Sequence, residues 1–297
     1  MPRRRPVIGI ALGSGSARGW SHIGVVNTLE RVGITPDIVC GTSIGALVGA
    51  ACADGQLDRL ESWVRTLTWQ NVAKMLDFTL GGGLIQGERL TSYFRENFND
   101  KDISQLSKRF GAVATELLTG REVWLQSGSL IDAVRASIAL PGLFAPASRD
   151  DRLLVDGGLV NPVPVSLCRA MGAEIVIAVE LHRDLLGRRQ KDHSTVDQGP
   201  QGVLASTLSS LGRLKSGPAT STDMPSLFDV LTISLNIMQV RIARSRLAGE
   251  PADVMIRPHL SDFAMMGYHR AAEAIDEGVR ATEKVLPELQ ELTASRA

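Results

Sequence analysis

The sequence predicts an α/β fold built on a mainly parallel sheet, and three observations predict it. Short apolar runs at 7–12 and 38–40 have the length and flanks of buried strands. Each precedes a segment with helical spacing, so strand, helix, strand and helix alternate within about fifty residues. That is the βαβ pattern of parallel strands joined by a right-handed crossover. The chain is also large enough, at 297 residues and 44% hydrophobic, to bury the core such a sheet requires.

The first strand stops at Gly13. Residues 20–31 carry Ile23, Val26 and Leu29 at helical spacing, with Gly33 following as a C-cap. Ile38, Val39 and Cys40 form the second strand and Ile44–Ala53 the second helix. Segments 58–75 and 87–98 read as helices around a Gly81-Gly82-Gly83 loop. Residues 110–117 and Glu122–Leu125 read as paired strands, with Thr119-Gly120 as the hairpin turn. A helix over 129–139 takes Ser129 as its N-cap, has Asp132 three residues on, and is stopped by Pro141-Gly142. Further strands follow at 152–155 and 175–181.

Composition then shifts to Ser, Gly, Gln, Thr and scattered charge over 185–223, which reads as a mobile insert, with a plain linker as the alternative. Beyond it Leu227, Leu231, Leu235, Met238 and Ile242 recur at helical spacing, broadened by Val230, Ile233 and Ile237. So wide an apolar face reads as core, with a lipid- or partner-facing surface as the lesser alternative. Val254–Ile256 is a last strand and 268–289 a closing helix. The organisation expected is a catalytic core over 7–181, an insert over 182–225, and 226–297 completing the same domain.

Lys and Arg number 32 against 32 Asp and Glu, so the net charge is zero. A nucleic-acid partner is excluded, since it calls for a basic footprint. Nor is there a strong electrostatic draw to anionic lipid. Cys40, Cys52 and Cys168 are far apart, an odd count without CxxC spacing that fits a reducing cytoplasm. The basic start, Arg3-Arg4-Arg5, is followed by too short an apolar run for a signal peptide. No metal or cofactor is expected, and calcium in particular lacks an EF-hand-like acidic cluster. Oligomeric state is not legible.

The chemistry concentrates in three glycine-bearing turns. Gly41-Thr42-Ser43-Ile44-Gly45 is a GxSxG pentapeptide lying directly after a strand and before a helix. Such a sharp turn needs small neighbours and projects the hydroxyl outward, and the helix N-terminus favours developing negative charge. Ser43 therefore reads as a nucleophile rather than an N-cap. Asp156-Gly157-Gly158 follows a buried strand, which would bring the carboxylate to the sheet edge where ligands gather. Gly13-Ser14-Gly15-Ser16-Ala17-Arg18-Gly19, between the first strand and first helix, is an anion cradle of backbone N–H groups. A dinucleotide fingerprint would need an acidic residue at the end of the second strand, where Gly41-Thr42-Ser43 stands instead. The loop therefore fits an oxyanion better than a pyrophosphate. Of the five histidines, His22, His182, His193, His259 and His269, none has a neighbourhood that singles it out, and only His22 rivals Asp156 as base.

Taken in order, the loop ending in Arg18-Gly19, the GxSxG serine about 25 residues later and the distant Asp156-Gly157-Gly158 resemble the patatin-like phospholipases. Residues 136–146 are similar to that family's internal proline block. Residues 18–24, Gly82-Gly83-Leu84 with Gly87-Glu88-Arg89, residues 155–165 and Arg246-Leu247-Ala248-Gly249 look like its bacterial RssA-like branch. The resemblance implies a three-layer αβα fold and a catalytic dyad without histidine, Ser43 as nucleophile and Asp156 as general base at the sheet edge. It implies an oxyanion loop over Gly13, Gly15, Ser16, Ala17, Arg18 and Gly19, with N–H groups around Gly15 and Ser16 and with Arg18 anchoring the loop or adding charge. Gly41, Gly45, Gly157 and Gly158 support the two turns. The substrates implied are phospholipids or simpler fatty-acyl esters, with possible peripheral membrane contact; a regulatory or scaffolding protein without turnover is the alternative. One departure is that serine stands at 14 and 16 where the family often has glycine, which strains the backbone if either needs a positive φ.

Overall fold

Alternate residues of Ile8–Leu12 (β1) face opposite ways: Ile8, Ile10 and Leu12 join one buried apolar cluster, Ala11 another. A strand buried on both faces is the centre of a three-layer structure, as the continuous apolar run predicts. The computed structural model describes residues 5–75, 88–97, 100–182 and 227–296. In it β1 pairs in parallel with Ile38–Thr42 (β2) on one side and Ile175–Val179 (β7) on the other. Arg109–Glu116 (β3) adds in parallel to β2, and Val254–Ile256 (β8) in parallel to β7. Glu122–Leu125 (β4) and Arg152–Asp156 (β6) both pair antiparallel with β3, and Ala147–Arg149 (β5) pairs antiparallel with β6.

These registers have a geometric consequence. Val113 pairs with both Thr42 and Trp124, and Ala114 with both Val123 and Asp156. A strand has two edges, so β4 takes one and β2 and β6 share the other, meeting end to end.

One face of the sheet carries Ser21–Arg31 (α1), Ile44–Ala53 (α2), Leu57–Val64 (α3), Leu130–Ser137 (α6) and Ala271–Glu283 (α9). The other carries Val165–Ala170 (α7) and the C-terminal half of Leu227–Gly249 (α8), through Leu167, Cys168 and Ala243. α1 crosses α9 at glycines: a Cβ on Gly24 would lie 2.0 Å from the Ile275 carbonyl, and one on Gly278 2.0 Å from that of Ser21. Ser129 caps α6, accepting from the Asp132 N–H at 3.0 Å.

Three expectations change. The helix expected over 58–75 is two, α3 and Trp69–Met75 (α4), because the chain tightens where Leu67 N–H bonds Val64 O and Thr68 Oγ1 then accepts from Asn71 N–H. The closing helix over 268–289 is likewise divided into a 3-10 turn at Tyr268–Arg270, α9, and Leu286–Arg296 (α10). Pro287, which has no N–H to donate, suits the first turn of a new helix rather than the middle of an old one. The stripe on α8 is largely exposed rather than core: Val230, Leu231, Ile233, Ile237 and Met238 are exposed, Leu235 is half-buried against the main cluster, and among the described residues of that helix Gln239, Val240 and Ala243 are buried. Glu88–Asn97 (α5) follows the Gly81-Gly82-Gly83 loop, which, like residues 183–225 of the expected insert, lies outside the described residues. Among the described residues no helix is long and apolar enough to cross a membrane.

Candidate active site

Ser43 sits between β2 and α2 at φ 58 and ψ −126, a conformation side chains rarely adopt. Its glycine neighbours make the turn possible. A Cβ at Gly41 would lie 2.3 Å from the Gly45 carbonyl, and one at Gly45 2.1 Å from that of Leu12. The Ser43 N–H is held by Ser137 Oγ at 2.9 Å, which in turn donates to Val113 O at 2.6 Å. With the backbone clamped, Ser43 Oγ donates to Asp156 Oδ2 at 2.5 Å.

Asp156 reaches that position by a different route from the one the sequence suggests. The sheet-edge argument holds for parallel strands, whereas β6 runs antiparallel to β3 and meets the end of β2 head-on. Asp156 is anchored on all sides: its N–H donates to Ala139 O at 2.9 Å, and its carbonyl accepts from Thr115 Oγ1 at 2.8 Å. Gly158 N–H donates to Oδ1 at 2.7 Å. Burial pushes its carboxyl up to about 6, against the opposing pull of the hydrogen bonds from Ser43 and Gly158. A carboxylate that titrates near neutrality is a far better base than an ordinary aspartate. Gly157 is required by contact, since a Cβ there would lie 2.2 Å from Val113 O.

In the glycine-rich loop most N–H groups are already engaged. Gly13 donates to Val179 O at 3.1 Å, Ser14 to Pro162 O at 2.8 Å, Ala17 to Met265 O at 3.1 Å and Arg18 to Gly15 O at 3.3 Å. Those of Gly15 and Ser16 have no acceptor among the described residues. Arg18 is buried, and its Nε donates to Gly15 O at 3.0 Å. In a trans peptide the carbonyl and the next N–H point opposite ways, so pinning Gly15 O turns the Ser16 N–H outward. Burial lowers Arg18 to about 10, which leaves it charged at neutral pH. Ser16 has φ 51, so the strain anticipated for a serine in this loop falls there.

Ser16 and Ser43 open into one cavity of about 90 Å³ with apolar walls, among them Trp20, Trp63, Phe94 and Phe144. The walls come from α2, α3, α4, α5 and neighbouring loops, with Met266 and Tyr268 closing one side. Tyr268, hydrogen-bonded to Ser16, is pushed up to about 12 by burial. α8 supplies none of the cavity's described lining.

No hydrogen bond of Ser43 or Asp156 goes to a histidine among the described residues. His22 Nε2 lies 2.8 Å from Gly13 O, and burial depresses the ring to about 4, so it holds the loop. His182 is buried as well, with Nε2 3.2 Å from Ser14 Oγ and 3.3 Å from Gln239 Oε1; burial lowers it to about 3. Neither Ser137 nor Gln239 stood out in the sequence, because a lone serine on a helix and a glutamine in an apolar stripe carry no local signature. His193 lies outside the described residues.

A serine on a strained strand–helix turn, bonded to a buried aspartate beside a loop with two open N–H groups, defines an α/β protein of the patatin-like architecture. The chain belongs to the patatin-like phospholipase family, whose model matches residues 10–169. It is 32% identical to an uncharacterized NTE family protein of Mycobacterium tuberculosis, over 92% of this chain and 89% of that protein. It is 35% identical to human patatin-like phospholipase domain-containing protein 6, over 59% of this chain and 13% of that protein. The crystal structure of VipD from Legionella pneumophila matches with a TM-score of 0.48 at 14% identity, covering 96% of this chain and 67% of that one.

Proposed function

We propose that this protein is a serine acyl hydrolase acting on carboxylic esters of phospholipids or fatty-acyl compounds through a Ser43–Asp156 dyad. One observation carries the reading: the 2.5 Å hydrogen bond from Ser43 Oγ to a buried carboxylate, at the wall of an apolar cavity. Ser43 Oγ attacks the ester carbonyl carbon while its proton passes to Asp156 Oδ2. The tetrahedral oxyanion accepts from the N–H groups of Gly15 and Ser16, a contribution of about 2.7–4 kcal/mol per donor in a measured hydrolase. Collapse breaks the bond to the alcohol, which leaves with the proton from Asp156. Asp156 then takes a proton from water, the hydroxide attacks the acyl-enzyme, and the carboxylic acid departs as Ser43 recovers its proton.

The family and its NTE relatives support lipid hydrolysis in general; the RssA-like motifs favour the bacterial branch, and the three buried free cysteines suit a cytoplasmic setting. Residues 7–181 and 226–297 act as one domain, bound together where α9 packs on α1. With zero net charge, contact with a membrane would be peripheral and apolar, and the exposed residues of α8 are the candidates.

A fluorophosphonate probe tests the reading. It should label the wild-type protein and not Ser43→Ala, and Ser43→Ala and Asp156→Asn should each abolish hydrolysis of a short p-nitrophenyl ester. An unlabelled, inactive wild-type protein would instead favour a regulatory or scaffolding role.

A further inference from the structure

The face of α2 that begins at Ser43 continues away from the sheet edge as Leu47, Ala50, Ala51 and Asp54, the spacing of one helical stripe. Beside it lies a second cavity of about 40 Å³, with almost wholly apolar walls. Among the described residues Leu47, Phe94 and Ile138 line both this cavity and the one at Ser43, so the two cavities share a wall. Leu130 and Val134 of α6 form the opposite wall. At the far end stands Asp54, its side chain almost fully buried and paired with Lys101 at 2.5 Å.

We infer that this second cavity is a subsite for the distal part of the substrate's acyl chain, which follows α2 from Ser43 towards Asp54; the inference rests on the acyl-hydrolase reading of Ser43. Its dimensions state a chain length. At 1.5 Å per residue, the helix advances about 12 Å from Ser43 to Ala51. An extended alkyl chain advances about 1.25 Å per carbon, the projection of a carbon–carbon bond near 1.5 Å, so the stripe accommodates about ten carbons. Beyond Ala51 the Asp54–Lys101 ion pair replaces apolar wall with charge, and further methylenes gain nothing by entering. The occupant is thus a medium-length acyl chain rather than an acetyl group.

Kinetics and binding test this separately. With p-nitrophenyl esters of four to sixteen carbons, kcat/KM of the wild-type protein should climb to about ten carbons, by up to about fourfold per buried methylene, and then level. Ala51→Phe and Val134→Phe each push a ring into the second cavity from opposite walls, and each should lower the decanoyl-to-butyryl ratio of kcat/KM at least tenfold. Calorimetric titration of decanoate and butyrate into Ser43→Ala protein, with and without each ring, reads the same subsite with no turnover, and decanoate affinity should fall at least tenfold. Ester turnover that depends on Ser43 but shows no rise with chain length, or a ratio indifferent to both rings, overturns the subsite and leaves the dyad standing. Decanoate binding weakened by the rings in a protein that hydrolyses no ester supports the subsite and overturns the dyad. Decanoate that binds no better than butyrate to Ser43→Ala protein overturns the subsite, whichever variants fold.

Discussion

Thr42 and Asp156 pair with consecutive residues on one edge of β3, Thr42 with Val113 and Asp156 with Ala114. Two strands running in opposite directions therefore end against each other, and the residue after Thr42 is the serine that bonds Asp156. The distance between Ser43 and Asp156 is set by sheet register. A register is stiff because every rung of the ladder must shift together, which is the kind of support a preorganised site requires.

A base that works unprotonated should impose an acid limb on the rate. Burial raises Asp156 to about 6, so below that pH the carboxyl holds a proton and cannot accept one from Ser43. We expect kcat/KM to be flat above pH ~7 and to fall about tenfold per pH unit well below ~6. His22 and His182, depressed to about 4 and about 3, add no second limb in that window. A limb centred near the ordinary aspartate value of ~3.9 would show that Asp156 is not held in this environment.

The same burial makes the native acid a stability cost, with a definite sign. The folded state holds Asp156 at about 6 against 3.8 for the free carboxyl. The group therefore contributes stability when protonated, fully below pH ~4, and loses it as pH rises through ~6. Asp156→Asn cannot ionise, and its amide oxygen can still accept from Gly158 while the Ser43 hydroxyl accepts from its NH₂. The variant should melt above wild type at pH 8, by about 3 kcal/mol or roughly 5 °C, and the two should converge by pH ~4. Calorimetric scans across that range read the difference directly; a variant equally stable or weaker at pH 8 would refute the argument.

Ser43 makes a second, pH-independent case. Its φ of 58 and ψ of −126 suit glycine and strain any residue with a Cβ. Ser43→Ala keeps the Cβ and Ser43→Gly removes it, and both abolish the nucleophile. Ser43→Gly should therefore exceed Ser43→Ala in stability by about 1–2 kcal/mol in denaturant titrations, within the range set by such strained conformations. Equal midpoints would mean the turn is unstrained.

Several elements were legible because local chemistry alone specifies them. Ile44–Ala53 and Glu122–Leu125 have the bounds the residue pattern predicts, and Gly33, at φ 82, ends α1 as its placement suggests. GxSxG was readable for the same reason, since its glycines are demanded by contacts within one turn. Other features depend on partners far along the chain. The direction of β6 is decided by pairing with β3, about forty residues away, so Asp156 could be picked out beside its glycines while the reason for its position could not. Which loop amides are free depends on Pro162, Val179 and Met265, three carbonyls invisible to a reading of residues 13–19. The stripe on α8 misled because periodicity reports an apolar face and not what covers it.

Arg18 offers a test of the loop that leaves the dyad untouched. Its Nε holds Gly15 O at 3.0 Å, and the peptide so fixed presents the Ser16 N–H on its other edge. Lysine keeps the charge but has no donor at the Nε position and no planar fork, so Arg18→Lys leaves the Gly15 carbonyl with the weaker 3.3 Å backbone contact. An oxyanion donor acts on the tetrahedral state and little on the bound ester, so its misalignment should appear in kcat and not in KM. We expect kcat to fall about 10²–10³-fold, the loss typical of one misplaced donor, with KM changed less than about threefold. The acid limb should stay near pH 6, because no contact of Asp156 is altered. Steady-state kinetics on a medium-chain ester, with a thermal melt to verify folding, separates the alternatives. A raised KM with kcat intact would assign Arg18 to substrate binding, and a displaced acid limb would mean that the change had reached the dyad itself.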